Sequence, residues 1–184
     1  MSAWYAYEHG IPNGTIENCL NSGTIEGDVA GGIAIFHFYN DVAIEPSIIN
    51  CVNKGEIKAY QVAGGIMGQA IGIMKNCIND GNVTADTSGI NGGVYGIAGG
   101  ICGWLYTQHS ITTIYECTNN GNIVGSNREN ANWTGGIVGE RYRFARLDFG
   151  RNISTGLVNG EASNEENAVG SGDEYETDYF VKLE

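Results

Sequence analysis

Apolar and polar positions recur along this chain in a fixed short order, with neither a helical nor a long alternating period. Four times an apolar residue stands three before a cysteine and another stands six after it: Ile16 and Ile25 around Cys19, Ile48 and Ile57 around Cys51, Met74 and Val83 around Cys77, Ile114 and Ile123 around Cys117. The polar residues between them spell one phrase, Asn-Cys-x-Asn-x-Gly, as Asn18 to Gly23, Asn50 to Gly55 and Asn76 to Gly81, with Glu116 leading the fourth copy to Gly121. A second block follows each phrase: Val29-Ala30-Gly31-Gly32-Ile33, Val62-Ala63-Gly64-Gly65-Ile66, Ile97-Ala98-Gly99-Gly100-Ile101 and Trp133-Thr134-Gly135-Gly136-Ile137. A fifth, degraded phrase places Phe149, Asn152, Ser154, Gly156 and Val158 at the apolar, cysteine, asparagine, glycine and apolar positions.

Successive phrase cysteines are 32, 26 and 40 residues apart, so the phrases keep their internal spacing while the intervals vary. A helical-hairpin array would lose its periodic apolar face under such slippage, and no segment sustains the i, i+3, i+4, i+7 pattern. Short β-branched runs bounded by Gly, Asn, Asp and Ser predict strands and turns instead, with glycines supplying positive φ at corners. Self-similarity at a period of a few tens of residues predicts a stacked architecture. The expected fold is all-β, a parallel β-solenoid of about four to five coils with variable loops on one edge. One strand enters the cysteine, Asn-x-Gly turns a corner, a second strand carries the following Ile or Val, and the Gly-Gly-Ile block forms a third. The odd spacing of Ile16 and Cys19 requires a bend or bulge between them if both face the core.

Composition narrows the function. A chain of 184 residues with 42% hydrophobic content can bury the core of one elongated domain, and a net charge of −12 disfavours nucleic acid and anionic membranes as partners. No apolar run approaches the roughly 20 residues that span a bilayer, so no membrane insertion is expected. Met1 running directly into mature-looking sequence, with no signal peptide before Trp4, and a vector-like Leu183-Glu184 predict a piece of a larger polypeptide. The five cysteines form no Cys-x-x-Cys pair and the four phrase cysteines recur once per coil, which predicts buried thiols acting as small hydrophobes. Cys102 occupies the slot of Met67 and Val138. Asn21, Asn53, Asn79 and Asn119 predict an amide ladder from coil to coil.

The phrase Asn-Cys-x-Asn-x-Gly-x-Ile followed by Gly-Gly-Ile-x-Gly resembles the GLUG repeats of large bacterial surface and secreted proteins, among them immunoglobulin A peptidases and adhesin-like proteins. The resemblance covers roughly residues 14 to 160, departing at Ile35, where the last glycine belongs, and in the fifth copy. It implies an extracellular or bacterial cell-surface location and a repeat region outside any catalytic domain, and no catalytic residue carries over from it.

Catalytic motifs are missing from the sequence. There is no His-Glu-x-x-His, Walker loop or Gly-x-Ser-x-Gly, and His9, His37 and His109 fall in terminal or loop segments. Asp173, Glu174, Glu176 and Asp178 read as a solvated acidic tail. No metal and no cofactor is expected. The domain reading is an N-terminal cap over 1–13, the repeats over 14–160, and an acidic C-terminal cap or tail over 161–184. Binding chemistry concentrates in the loops after the Gly-Gly blocks, where Phe38, Tyr39, Trp104, Tyr106, Arg141, Tyr142 and Arg143 are the candidate ligand-binding residues and the second coil supplies almost nothing. Aromatic faces suit sugar rings, and arginines pair with carboxylate or sulfate. The alternative is that these aromatics collapse into a satellite cluster on the side of the solenoid. The expected function is a non-catalytic module that binds a glycan or host protein, with a spacer or accessory domain of a secreted peptidase or glycosidase as the alternative.

Overall fold

The computed structural model describes residues 14–36, 46–87, 96–105, 111–128, 131–141, 146–170 and 180–183. Among them there is no helix, and the chain returns to the same parallel sheets in the same order. A first sheet stacks Thr15–Glu17, Ser47–Ile49, Gly72–Lys75, Ile111–Tyr115 and Arg146–Gly150. A second stacks Leu20–Asn21, Val52–Asn53, Ile78–Asn79, Thr118–Asn119 and Ile153–Ser154. The third holds Ile25–Gly31 and Ile57–Gly64, then the split pairs Val83–Ala85 with Ile97–Gly99 and Ile123–Val124 with Thr134–Gly135, and ends with Leu157–Val158 and Glu161–Ala162.

The Gly-Gly-Ile block is a corner. In the second pass Gly64 ends a third-sheet strand, Gly65 and Ile66 bend, and Met67–Ala70 opens a fourth sheet with Cys102–Leu105 and Val138–Arg141. Equivalent residues stack in register, with one irregularity between Gly27 and Val29 where the first third-sheet strand pairs with the second. Ile16, Ile48, Met74, Ile114 and Phe149 form one column, and Ile25, Ile57, Val83, Ile123 and Val158 another. The first of these columns packs with Cys51, Cys77, Cys117, Ile66, Ile101 and Ile137 into the main core, while Ile57, Val83 and Ile123 pack against Ala30, Ala63 and Ala98.

A left-handed residue resolves the odd spacing before each cysteine. Asn18, Asn50, Asn76, Glu116 and Arg151 have φ of 56°, 54°, 53°, 56° and 52°. That single conformation turns the chain from the first sheet into the second and, in the second to fourth copies, lets the apolar residue two before it and the cysteine after it both enter the core. Asparagine tolerates it, whereas glutamate and arginine carry the usual Cβ penalty. Among the described residues only Gly72 and Gly160 are glycines with positive φ, so the phrase glycines serve another purpose. A β-carbon on Gly55 would collide with the Gly23 carbonyl, one on Gly81 with that of Gly55, and one on Gly121 with that of Gly81. Close stacking selects them.

The asparagine ladder runs through the stack with one polarity. Asn21 Nδ2 donates to Asn53 Oδ1 at 2.7 Å, Asn53 to Asn79 at 2.7 Å and Asn79 to Asn119 at 2.8 Å. Each Nδ2 also donates to the carbonyl two residues on, at Gly23, Gly55, Gly81 and Gly121. The ladder lies against the Gly-Gly corners, since a β-carbon on Gly65 or Gly100 would strike the amide of Asn79 or Asn119. In the fifth pass Asn119 donates to Ser154 Oγ at 3.2 Å, and Ser163 Oγ, 2.8 Å from Ser154, donates to the Gly156 carbonyl at 2.7 Å.

Asn152 shows why a cysteine is replaceable at this end. The thiols of Cys51, Cys77 and Cys117 lie 3.7, 3.5 and 3.6 Å from the carbonyls of Ile16, Ile48 and Met74 in the preceding pass. Asn152 Nδ2 donates to the corresponding Ile114 carbonyl at 2.8 Å, and its Oδ1 accepts from the Cys117 N–H at 2.9 Å. Beyond it, Glu161–Ala162 pairs antiparallel with Leu157–Val158, Phe180–Leu183 pairs with Leu147–Gly150, and Asn167 and Ala168 accept from Gly136, Ile137 and Val138. The described part of 161–184 thus covers the last strands, while the Asp173–Asp178 cluster and residues 1–13 lie outside the described residues.

Two stability measurements follow. Asn79→Ala leaves the buried Asn53 and Asn119 amides short of a partner and should cost about 3 kcal/mol in urea unfolding, against about 1 kcal/mol or less for Asn21→Ala in the exposed first pass. Glu116→Asn relieves the left-handed penalty and should raise stability by about 0.5 to 1 kcal/mol, seen as a higher unfolding midpoint.

Candidate functional site

The repeated phrase offers no free nucleophile except at one end. Cys51, Cys77, Cys102 and Cys117 are fully buried, and only Cys19, in the first pass, is exposed. Burial pushes the Cys51 thiol from 9.0 up to about 11. The Cys77 thiol is pushed further, first by its hydrogen bond with Cys117 and then by burial, and burial alone raises Cys102. A thiol that is hard to ionise is a poor nucleophile and a poor metal ligand. Among the described residues no group of three His, Cys, Asp or Glu could hold a metal ion.

Of the candidate binding residues, the structure describes Trp104 and Arg141; Phe38, Tyr39, Tyr106, Tyr142 and Arg143 lie outside the described residues, as do all three histidines. Trp104 sits in the fourth sheet between Gln69 and Glu140 of the neighbouring passes, and Leu105 sits between Ala70 and Arg141. The two candidates are therefore on adjacent strands, one residue out of register. Trp104 is half-buried against Val62, Ile97 and Trp133, a satellite cluster outside the main core. Arg141 is also half-buried, and desolvation lowers its guanidinium pKa. Chain length varies where the fourth sheet returns to the first. Only Ile71 links Ala70 to Gly72, whereas residues 37–45, 106–110 and 142–145 intervene in the other passes.

Two surface features were not singled out from the sequence. The residue after each cysteine position points outward in the second sheet, so Leu20, Val52, Ile78, Thr118 and Ile153 form an in-register row, with Leu20 64% and Ile153 56% exposed. The signal was present, since this position is aliphatic in four of five copies. A polar row runs beside it, where Asn120 donates to Asp80 at 2.9 Å and Thr155 to Asn120 at 2.9 Å. On the first sheet, Lys75 and Arg151 stand 5.5 and 5.7 Å from the Tyr115 ring centre, and Glu116 lies 3.8 and 3.5 Å from the same two cations. Its members come from three passes, so sequence spacing gave no sign of it.

Comparison with family models, with curated proteins and with solved structures gives no match.

The thiols supply a measurement. At pH 8 a maleimide should label one cysteine, Cys19, in the native chain and five after denaturation. A folded-state thiol raised from 9.0 to about 11 holds its proton more tightly than the unfolded one, so this stabilisation is whole below pH 9 and is lost as pH rises through about 11. Labelling of Cys51 should therefore accelerate in that window.

Proposed function

We propose that this chain is a parallel β-solenoid of four to five coils acting as a non-catalytic module of a bacterial cell-surface or secreted protein, and that it binds a glycan or host protein through the loops between its fourth and first sheets. The carrying observation is the fate of the repeated phrase. Its cysteines and asparagines are consumed by stacking, so the side chains free to vary lie in segments of unequal length that interrupt the scaffold where the fourth sheet returns to the first and, in the third and fourth coils, midway along the third sheet. A regular scaffold displaying unequal loops along one edge suits recognition. Arg141 brings a cation to that edge on a molecule of net charge −12, and the resemblance to GLUG repeats supports the extracellular setting.

The packing of Trp104 against Val62, Ile97 and Trp133 favours a second reading, in which the loops only cover the scaffold and the module spaces or accompanies a peptidase or glycosidase domain. A combined array of glycans and host extracellular proteins separates the two. Binding to at least one member, reduced tenfold or more in an Arg141→Ala, Arg143→Ala double variant of unchanged melting temperature, is expected. A parent chain that binds nothing on the array leaves the spacer reading.

A further inference from the structure

We infer that the first pass is an acceptor surface for a further repeat of the same Asn-Cys-x-Asn-x-Gly phrase, added in parallel register by another polypeptide segment that carries the phrase. This goes beyond the proposed binding function, since it concerns how the module is joined end to end.

Three independent features of the first pass support it. Gly23 is the first. Gly55, Gly81, Gly121 and Gly156 all exclude a β-carbon because the carbonyl of the preceding phrase glycine occupies its place, yet a β-carbon on Gly23 would meet only Asn21 Oδ1, at 3.9 Å, and Gly23 does not have a positive φ. Nothing among the described residues requires glycine there; a stacked pass would. The second is the polarity of the amide ladder. Asn53 Oδ1 accepts from Gly55 N–H at 3.2 Å and from Asn21 Nδ2 at 2.7 Å, whereas Asn21 Oδ1 accepts only from Gly23 N–H at 3.2 Å among the described residues. It presents the lone pair that an incoming asparagine donor would use. The third is the backbone. Val52 and Lys54 N–H donate to the Cys19 and Asn21 carbonyls of the preceding pass, and the equivalent Leu20 and Ser22 donors have no acceptor among the described residues.

The same geometry excludes a second copy of this chain as the occupant. Two first passes meeting face to face would oppose acceptor to acceptor at Asn21, and the far end is covered by residues 161–170 and by Phe180–Leu183. Residues 1–13 contain no cysteine and no copy of the phrase. The addition is strand augmentation, with main-chain bonds supplying affinity and the asparagine and glycine positions supplying register.

The probe is a synthetic peptide of this chain's own residues 72–85, which carry the third phrase, added to the full chain and followed by hydrogen–deuterium exchange. The Leu20 and Ser22 amides should slow at least tenfold at saturating peptide, and a peptide with Asn79→Asp, which opposes an acceptor to Asn21 Oδ1, should leave them unchanged. Gly23→Val in the chain should melt with the parent but lose the protection, whereas Gly55→Val should melt far lower. No slowing by the parent peptide, equal slowing by the Asn79→Asp peptide, or full protection of the Gly23→Val chain would each overturn the inference. So would a Gly23→Val chain as unstable as Gly55→Val, because that result would mean the surface is already filled.

Discussion

The side-chain amide ladder is the interaction on which the rest of the structure depends. Each buried asparagine both donates and accepts along the stacking direction and spends its second proton on its own corner carbonyl, so one residue type fixes register between passes and closes the turn within a pass. An amide suits this role because it carries two donors and an acceptor in one plane. The cost of burying those groups is offset only when every pass supplies its member, which makes register strongly specified. The Gly-Gly corner follows from the same requirement, since the amides lie where the β-carbons of Gly65 and Gly100 would be.

The cysteines are secondary in this scheme. Their thiols fill the space beside the ladder and weakly satisfy carbonyls, and the fifth pass does the same with Asn152, which makes the stronger bond to Ile114. Not every polar group is satisfied in this way: the buried Thr112 hydroxyl has no hydrogen-bond partner among the described residues.

Much of the scaffold was legible from the sequence because stacking repeats the same physical demand. The apolar columns, the amide ladder, the shared slot of Met67, Cys102 and Val138, and the alignment of Phe149, Ser154 and Val158 with the fourth copy all follow from spacing. What was not legible depends on backbone conformation or on neighbours distant in sequence. Nothing in Asn50 or Arg151 announces a left-handed residue, and the phrase glycines suggested turns although the constraint on them comes from the carbonyl one pass away. Gly-Gly-Ile looked like a strand because its apolar neighbours are strand residues, yet it is the corner between them. Of the candidate site, Trp104 and Arg141 read as loop residues but lie on neighbouring fourth-sheet strands, and the aliphatic row and the Tyr115 cluster emerge only once passes are stacked.

The left-handed residue before each cysteine has a consequence for heredity. It resets the path of the backbone once per pass, and the segments between resets differ by as much as 14 residues without disturbing the columns. A gene rearrangement that duplicates or deletes one whole unit, cut anywhere between two resets, joins surfaces that already match. Such an array can lengthen or shorten by whole units while its apolar columns and amide ladder keep their register.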